Sequence, residues 1–150
     1  MTSHVTVNKA KPSDLPQMKI LISELIDEMT DVGEINVENA IRNCQELLVD
    51  PSHQILVARG QGNILGLISF SARRTMQHTG QSGLIDELVI SSSCRRSGIG
   101  RKLVLAAVDA CRNMGCCEIE VSTEKRNGKA RKFYKTVGFD EHAVLLEMDL

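Results

Sequence analysis

The stretch from Gly83 to Thr123 constrains the fold most. It runs strand, glycine turn, helix, glycine stop, strand. "GLIDELVIS" (83–91) has the apolar density of a buried strand. Gly98-Ile99-Gly100 then opens a segment in which Ile99, Leu103, Ala107, Ala110 or Cys111, and Met114 recur at helical spacing. Gly115 suits the left-handed residue that stops a helix, and "CEIEVST" (117–123) follows as a second strand. Two strands joined through a helix pair in parallel by a right-handed crossover. The unit therefore calls for a mixed sheet with helices packed against it.

The rest of the chain extends that sheet. "VTVNKAK" (5–11) alternates as a strand does. Residues 12–29 carry Leu15, Met18, Ile22, Leu25, Ile26 and Met29 at helical spacing, with Ser13 or Asp14 placed to cap. A second helix is predicted over 36–49, ended by Asp50-Pro51. "HQILVARG" (53–60) and "NILGLISFSARR" (63–74), joined by Gln61-Gly62, form a hairpin. A short helix over 128–136 and a last strand, "AVLLEMDL" (143–150), complete the order β-α-α-β-β-β-α-β-α-β. This is an α/β mixed-sheet fold in one domain, 1–150, of a size that buries a core without disulfides.

Charge and cysteine usage narrow the function classes. With 18 basic and 19 acidic residues, the chain lacks the excess of positive charge expected of a nucleic-acid binder. No apolar run is long enough to span a membrane, and the N-terminus has no signal-peptide core, so a cytoplasmic protein without membrane partners is expected. The five cysteines are an odd number and include no CxxC, which points to reduced thiols. His4, His53, His78 and His142 are scattered, so no metal site is expected.

A glycine turn at a helix mouth exposes backbone N–H groups that lack intrahelical partners, and the helix dipole adds positive charge there. The natural occupant is an anion, most often a pyrophosphate. Arg95 and Arg96 add charge to it. The P-loop pattern is absent, and the dinucleotide pattern fails because Leu103 stands where its third glycine belongs.

"RRSGIG" (95–100) resembles the [Gln/Arg]-x-x-Gly-x-[Gly/Ala] signature of the GNAT superfamily of N-acetyltransferases. "NGKARKFYKTVGF" (127–139) is similar to the family's second signature at Asn127, Ala130, Phe133, Tyr134, Gly138 and Phe139. The two motifs stand in the family's order, and the order of elements resembles the family fold along nearly the whole chain. Ser92 and Cys94 replace the proline and aromatic that often precede the arginine.

The resemblance implies acetyl-CoA as co-substrate, its pyrophosphate held by backbone amides of the glycine loop. It places Leu88, Val89, Ile90, Arg95, Arg96, Ser97, Gly98, Ile99, Gly100, Arg101, Asn127 and Ala130 against that ligand, with the N–H of Val89 as donor to the thioester oxygen. It implies Tyr134, the single tyrosine, as general acid toward the leaving sulfur; the alternative is a ring packed on the sheet. A carboxylate on the strand before the loop acts as base, directly or through water. Alternation puts Asp86 and Glu87 on opposite faces, and register with the family selects Glu87. Direct transfer in a ternary complex is expected over a relay through Cys94, which has no histidine nearby in sequence. One or two cations of the basic run 125–135 are candidates for the CoA 3′-phosphate, if the run is not simply a solvated helix face.

The acceptor is a small-molecule amine. Residues 24–38 are acidic without a base, and Glu28, Asp31 and Glu34 are candidates to attract a cationic amine; an acidic outer helix face is the plainer account. A protein amine is the alternative acceptor, and a non-catalytic CoA-binding sensor the alternative class. An exposed edge at the last strand leaves room for a homodimer.

Overall fold

The computed structural model describes residues 4–29 and 36–150. A five-stranded sheet runs in the order β1-β2-β3-β4-β5, made of β1 (Thr6–Lys9), β2 (His53–Gly60), β3 (Asn63–Arg73), β4 (Gln81–Ile90) and β5 (Cys116–Val121). The first four strands are antiparallel neighbours, and β4 pairs with β5 in parallel. The parallel pair is the one the glycine-bounded helix demands, because α3 (Ile99–Asn113) joins the two strands.

Side-chain alternation splits the core in two. Ile55, Val57, Leu67 and Val89 face α1 (Leu15–Glu28) and α2 (Val37–Leu47). Leu56, Ala58, Ile68, Phe70 and Ile85 face α3 and α4 (Gly128–Val137). The sheet is thus buried on both sides, which is why β2 and β3 read as near-continuous apolar runs. At the β2–β3 turn Gln61 and Gly62 both take positive φ, 52° and 78°, as a two-residue hairpin requires.

Two expectations are corrected. Asp14 stands at the start of α1 but makes no capping bond there. Its carboxylate instead accepts from the Lys11 N–H at 2.8 Å and from Arg59 of β2 at 2.7 Å, because a 3-10 turn over Pro12–Asp14 aims it at the sheet. Residues 143–150 form no strand: a strand needs a hydrogen-bonding neighbour, and this segment has none among the described residues. Val144, Leu146 and Met148 are exposed as a result.

Candidate active site

The site begins where the sheet comes apart. β4 and β5 pair from Gln81↔Cys116 to Ile85↔Val121 and no further. From Asp86 to Ile90, β4 continues against β3 alone, so its other edge is open. The register decides which amides face that opening. The Ser91 N–H donates to the Leu65 carbonyl at 2.8 Å, and antiparallel pairs alternate by two residues. Leu67↔Val89 is therefore a pair that turns its N–H and C=O groups toward each other. The Val89 N–H is engaged with β3, which removes it as the free donor expected from sequence. Leu88 and Ile90 turn their amides to the open edge.

The carboxylates are brought together by a bulge. Ser69 pairs with Glu87 and Phe70 with Ile85, leaving Asp86 as the extra residue. Simple alternation fails at that step, and both carboxylates come under the influence of His53. His53 Nε2 lies 3.8 Å from Asp86 Oδ2 and is buried without a hydrogen-bond partner among the described residues. Glu87 accepts from the Ser69 hydroxyl. The Glu87 residue is exposed, while protein packed around its carboxyl strips hydration and raises its pKa. The Ser69 bond opposes that rise, the Asp86 charge adds to it, and His53 opposes it. On the same side Cys44 of α2 is pushed up to about 11, first by burial and then by the Glu87 charge.

The loop after β4 has the geometry of an anion cradle. Gly98 takes φ +84° with nothing within 4 Å of where a Cβ would stand, and Arg96 takes φ +62°. Gly98 caps α3 with no side chain, so the first-turn amides of Ile99, Gly100 and Arg101 have no capping group over them. Ser97 turns its hydroxyl back to the Cys94 carbonyl. Arg95 pairs with Glu28, and Glu24 accepts from the Ser92 N–H at 3.2 Å, so the end of α1 is tied to the loop. Glu28, one of the three acidic residues expected to face an acceptor, thus holds this loop together with Glu24; Asp31 and Glu34 lie outside the described residues. Arg101 reaches the Thr136 carbonyl of α4 at 3.3 Å. The thiol of Cys94 has Ser93 Oγ at 3.6 Å as its hydrogen-bond neighbour, which is not a base.

The second motif meets the first through Gly100. A Cβ there would stand 3.4 Å from Phe133 Cζ and 3.8 Å from Ile90 Cγ1, so α3, α4 and the end of β4 converge at that glycine. Tyr134 is buried, with its ring edge-to-face against Phe133 and Phe139 at 5.1 and 5.5 Å. Burial pushes its phenol up to about 12, which keeps the proton on the oxygen at neutral pH. Asn127 caps α4, its side chain accepting from the Ala130 N–H at 3.0 Å. In the basic run, Arg131 is committed to the Lys125 carbonyl and, with Lys135, to Glu141. A cavity of about 470 Å³ opens at the other end of β4, lined by Arg74, His78, Gln81 and Gly115 among others; neither motif contributes to it.

Comparison with known proteins agrees with this fold. The Acetyltransferase (GNAT) family profile matches residues 18–139. The chain belongs to the GNAT family. An aminoalkylphosphonate N-acetyltransferase of Salmonella typhimurium is 30% identical over 94 residues, 63% of this chain and 61% of that relative. A glucosamine 6-phosphate N-acetyltransferase of Arabidopsis thaliana is 25% identical over 125 residues, 81% of this chain and 82% of that protein. A solved structure of a transcriptional regulator from Bacillus halodurans C-125 superposes with a TM-score of 0.84 at 25% identity, covering 98% of this chain and 100% of that one.

In this GNAT chain the sequence motifs mark the loop and Tyr134 as candidates but not three neighbours of Glu87. His53, Ser69 and Cys44 belong to separate elements, and only the β2–β3–β4 register and α2 packing bring them to one place. Nothing in the local sequence of His53 or Cys44 marks them. The one available signal was the polar Ser69 inside an otherwise apolar strand, where a hydroxyl needs a partner.

Proposed function

We propose that this GNAT chain transfers an acetyl group from acetyl-CoA to the primary amine of a small molecule, directly, in a ternary complex. The observation that carries the reading is the open edge of β4, with Glu87 on the α1/α2 side of the sheet and Tyr134 on the α3/α4 side. The gap between β4 and β5 is where groups from both faces can reach one bound thioester. The glycine-loop amides and Arg96 would hold the pyrophosphate, and the Leu88 and Ile90 amides would face the acyl end.

The steps balance as follows. Glu87 takes a proton from the ammonium form of the acceptor, and the free amine nitrogen attacks the thioester carbon. The C–N bond forms, the C–S bond breaks, and Tyr134 gives its proton to the leaving sulfur. The amine's second proton restores the phenol through water, and Glu87 releases the first proton to solvent, so one proton leaves per turnover. A carboxyl whose pKa is raised is the better proton acceptor for an amine. An edge amide placed on the developing oxyanion is worth about 3 kcal/mol by analogy with other acyl-transfer sites.

For the acceptor, the acidic stretch 24–38 supports a cationic amine, since Asp27 and Glu38 make no ion pair among the described residues. A second reading, an amine that also carries a phosphate or phosphonate, is favoured by the Arg95–Glu28 pair, which neutralises part of that surface, and by the names of the two curated relatives. Thiol release from acetyl-CoA, measured with a polyamine, an aminoglycoside, an aminoalkylphosphonate and glucosamine 6-phosphate, decides between them. Tyr134→Phe should lower kcat about 10²-fold or more with acetyl-CoA binding retained. Acetyl-CoA binding with no amine-dependent thiol release from any acceptor would replace the enzyme reading with a CoA sensor.

A further inference from the structure

One buried side-chain polar atom is left without a hydrogen-bond partner among the described residues, Nε2 of His53. Buried polar groups are nearly always paired, so its surroundings call for an explanation. His53 opens β2 and pairs with Ser71 of β3. Alternation puts its side chain on the face of Ile55 and Val57, under α1 and α2. The side chain is 11% exposed. Nε2 faces Asp86 Oδ2 at 3.8 Å, within ion-pair reach but beyond a hydrogen bond.

Three carboxylates stand around the imidazole. Asp86 and Glu87 face it from β4. Asp50 faces it from the turn after α2, where its carbonyl accepts from the His53 N–H at 3.2 Å. β3 contributes the neutral Ser69, α1 apolar side chains, and α2 the Cys44 thiol beside Glu87. The bulge makes neighbours of Asp86 and Glu87 but supports them unequally. Asp86 has the imidazole as its ionic partner, whereas Glu87 has a neutral hydroxyl, that of Ser69. Two adjacent carboxyls with equal support would compete for one proton, and neither would be a defined base. A cation beside only one of them removes the tie.

We propose that His53 is a positioning residue: protonated, it holds Asp86 as the standing anion of the pair, so that Glu87 is the carboxylate left to exchange the acceptor's proton. The inference rests on the reading of Glu87 as base. His53 acts from beneath the site, since its Nε2 is buried while the Asp86 side chain is 36% exposed. The orphan Nε2 then carries the proton that faces the Asp86 charge. The standing anion also acts on its neighbour. After burial, the Asp86 charge is the second influence that raises the Glu87 pKa, and a raised carboxyl is the better acceptor for an ammonium proton.

The test reads the two carboxyls directly, by carbon NMR titration of Asp86 Cγ and Glu87 Cδ in the full chain, and then the pH profile of kcat/KM. In the wild type Asp86 should lose its proton first and Glu87 second, each in a step of its own. His53→Leu removes the cation. Both resonances should then report the same pair of steps, the Asp86 midpoint should rise by about one unit or more, and the acidic limb should move to higher pH. His53→Gln keeps a donor without a charge; it should do the same, and it serves if the leucine variant fails to fold. Asp86→Asn added to either variant removes the competing carboxyl and should bring the limb back down, which a packing defect at His53 would not allow. The proposal is overturned if Glu87 ionises first in the wild type, if separate steps survive both substitutions at His53, or if the limb stays in place. A Glu87→Gln variant that keeps its rate and its acidic limb overturns the base reading, and this proposal with it, whatever the carboxyls report.

Discussion

At Glu87 neighbouring groups pull the carboxyl in opposite directions. Packing raises its pKa, and the Ser69 hydroxyl lowers it by donating to the charged form. As the proposed base Glu87 works deprotonated, so activity should fall as pH drops through its pKa. Ser69→Ala removes the opposing donor and should move the acidic limb of the kcat/KM profile to higher pH. Glu87→Gln should abolish that limb along with most of the rate. An acidic limb unmoved by Ser69→Ala would assign the base elsewhere, Asp86 first. Tyr134 gives no alkaline limb below about 12, because its phenol keeps its proton until then. This residue-level picture was only partly legible in the sequence. Placing Asp86 and Glu87 on opposite faces by alternation presumed a regular strand, and the bulge that sets both near His53 comes from one unpaired residue with no mark in composition.

Among the elements, the loop–α3 junction and the start of α4 separate ligand holding from helix support. Gly98 lies at φ +84°, where a side chain costs about 1–2 kcal/mol. Gly98→Ala should lower unfolding stability by that amount in urea and raise the KM for acetyl-CoA, since the strain falls on the loop itself. Asn127→Ala removes a cap and should cost about 1 kcal/mol. If capping is the whole role of Asn127, its KM for acetyl-CoA stays near wild type; a KM rise matching that of Gly98→Ala would give Asn127 a direct part in binding. The elements were the most legible scale. Helical spacing with Gly98 and Gly115 at its ends delimited α3, and the Gln61-Gly62 pair delimited the hairpin, because those backbone conformations select particular residues. The segment 143–150 showed the opposite case. Its alternation was plain, but a strand is a property of two segments, and no second segment pairs with it among the described residues.

Across the whole molecule, an ion pair joins the start of the first helix to the sheet beside the apolar packing of α1. Asp14 is buried ahead of α1, and both its oxygens accept from Arg59 of β2, at 2.7 and 2.5 Å. The Arg59 bond holds the Asp14 pKa below its usual value. A carboxylate with a depressed folded pKa adds stability that is complete above the ordinary aspartate range and is lost as pH falls through the folded value. Arg59→Met leaves the Asp14 charge buried and unpaired. At neutral pH it should cost about 2 kcal/mol, below the figure for a fully enclosed pair because Arg59 keeps 29% of its side chain in solvent. The difference between wild type and variant, read from urea midpoints, should shrink as pH drops below the carboxylate range, since a protonated Asp14 no longer needs the cation. Asp14→Asn with Arg59→Met should recover part of the neutral-pH loss by removing the stranded charge. A difference that stays constant from neutral to acid pH would mean that the Arg59 side chain acts by packing its stem on the sheet, not by pairing with Asp14.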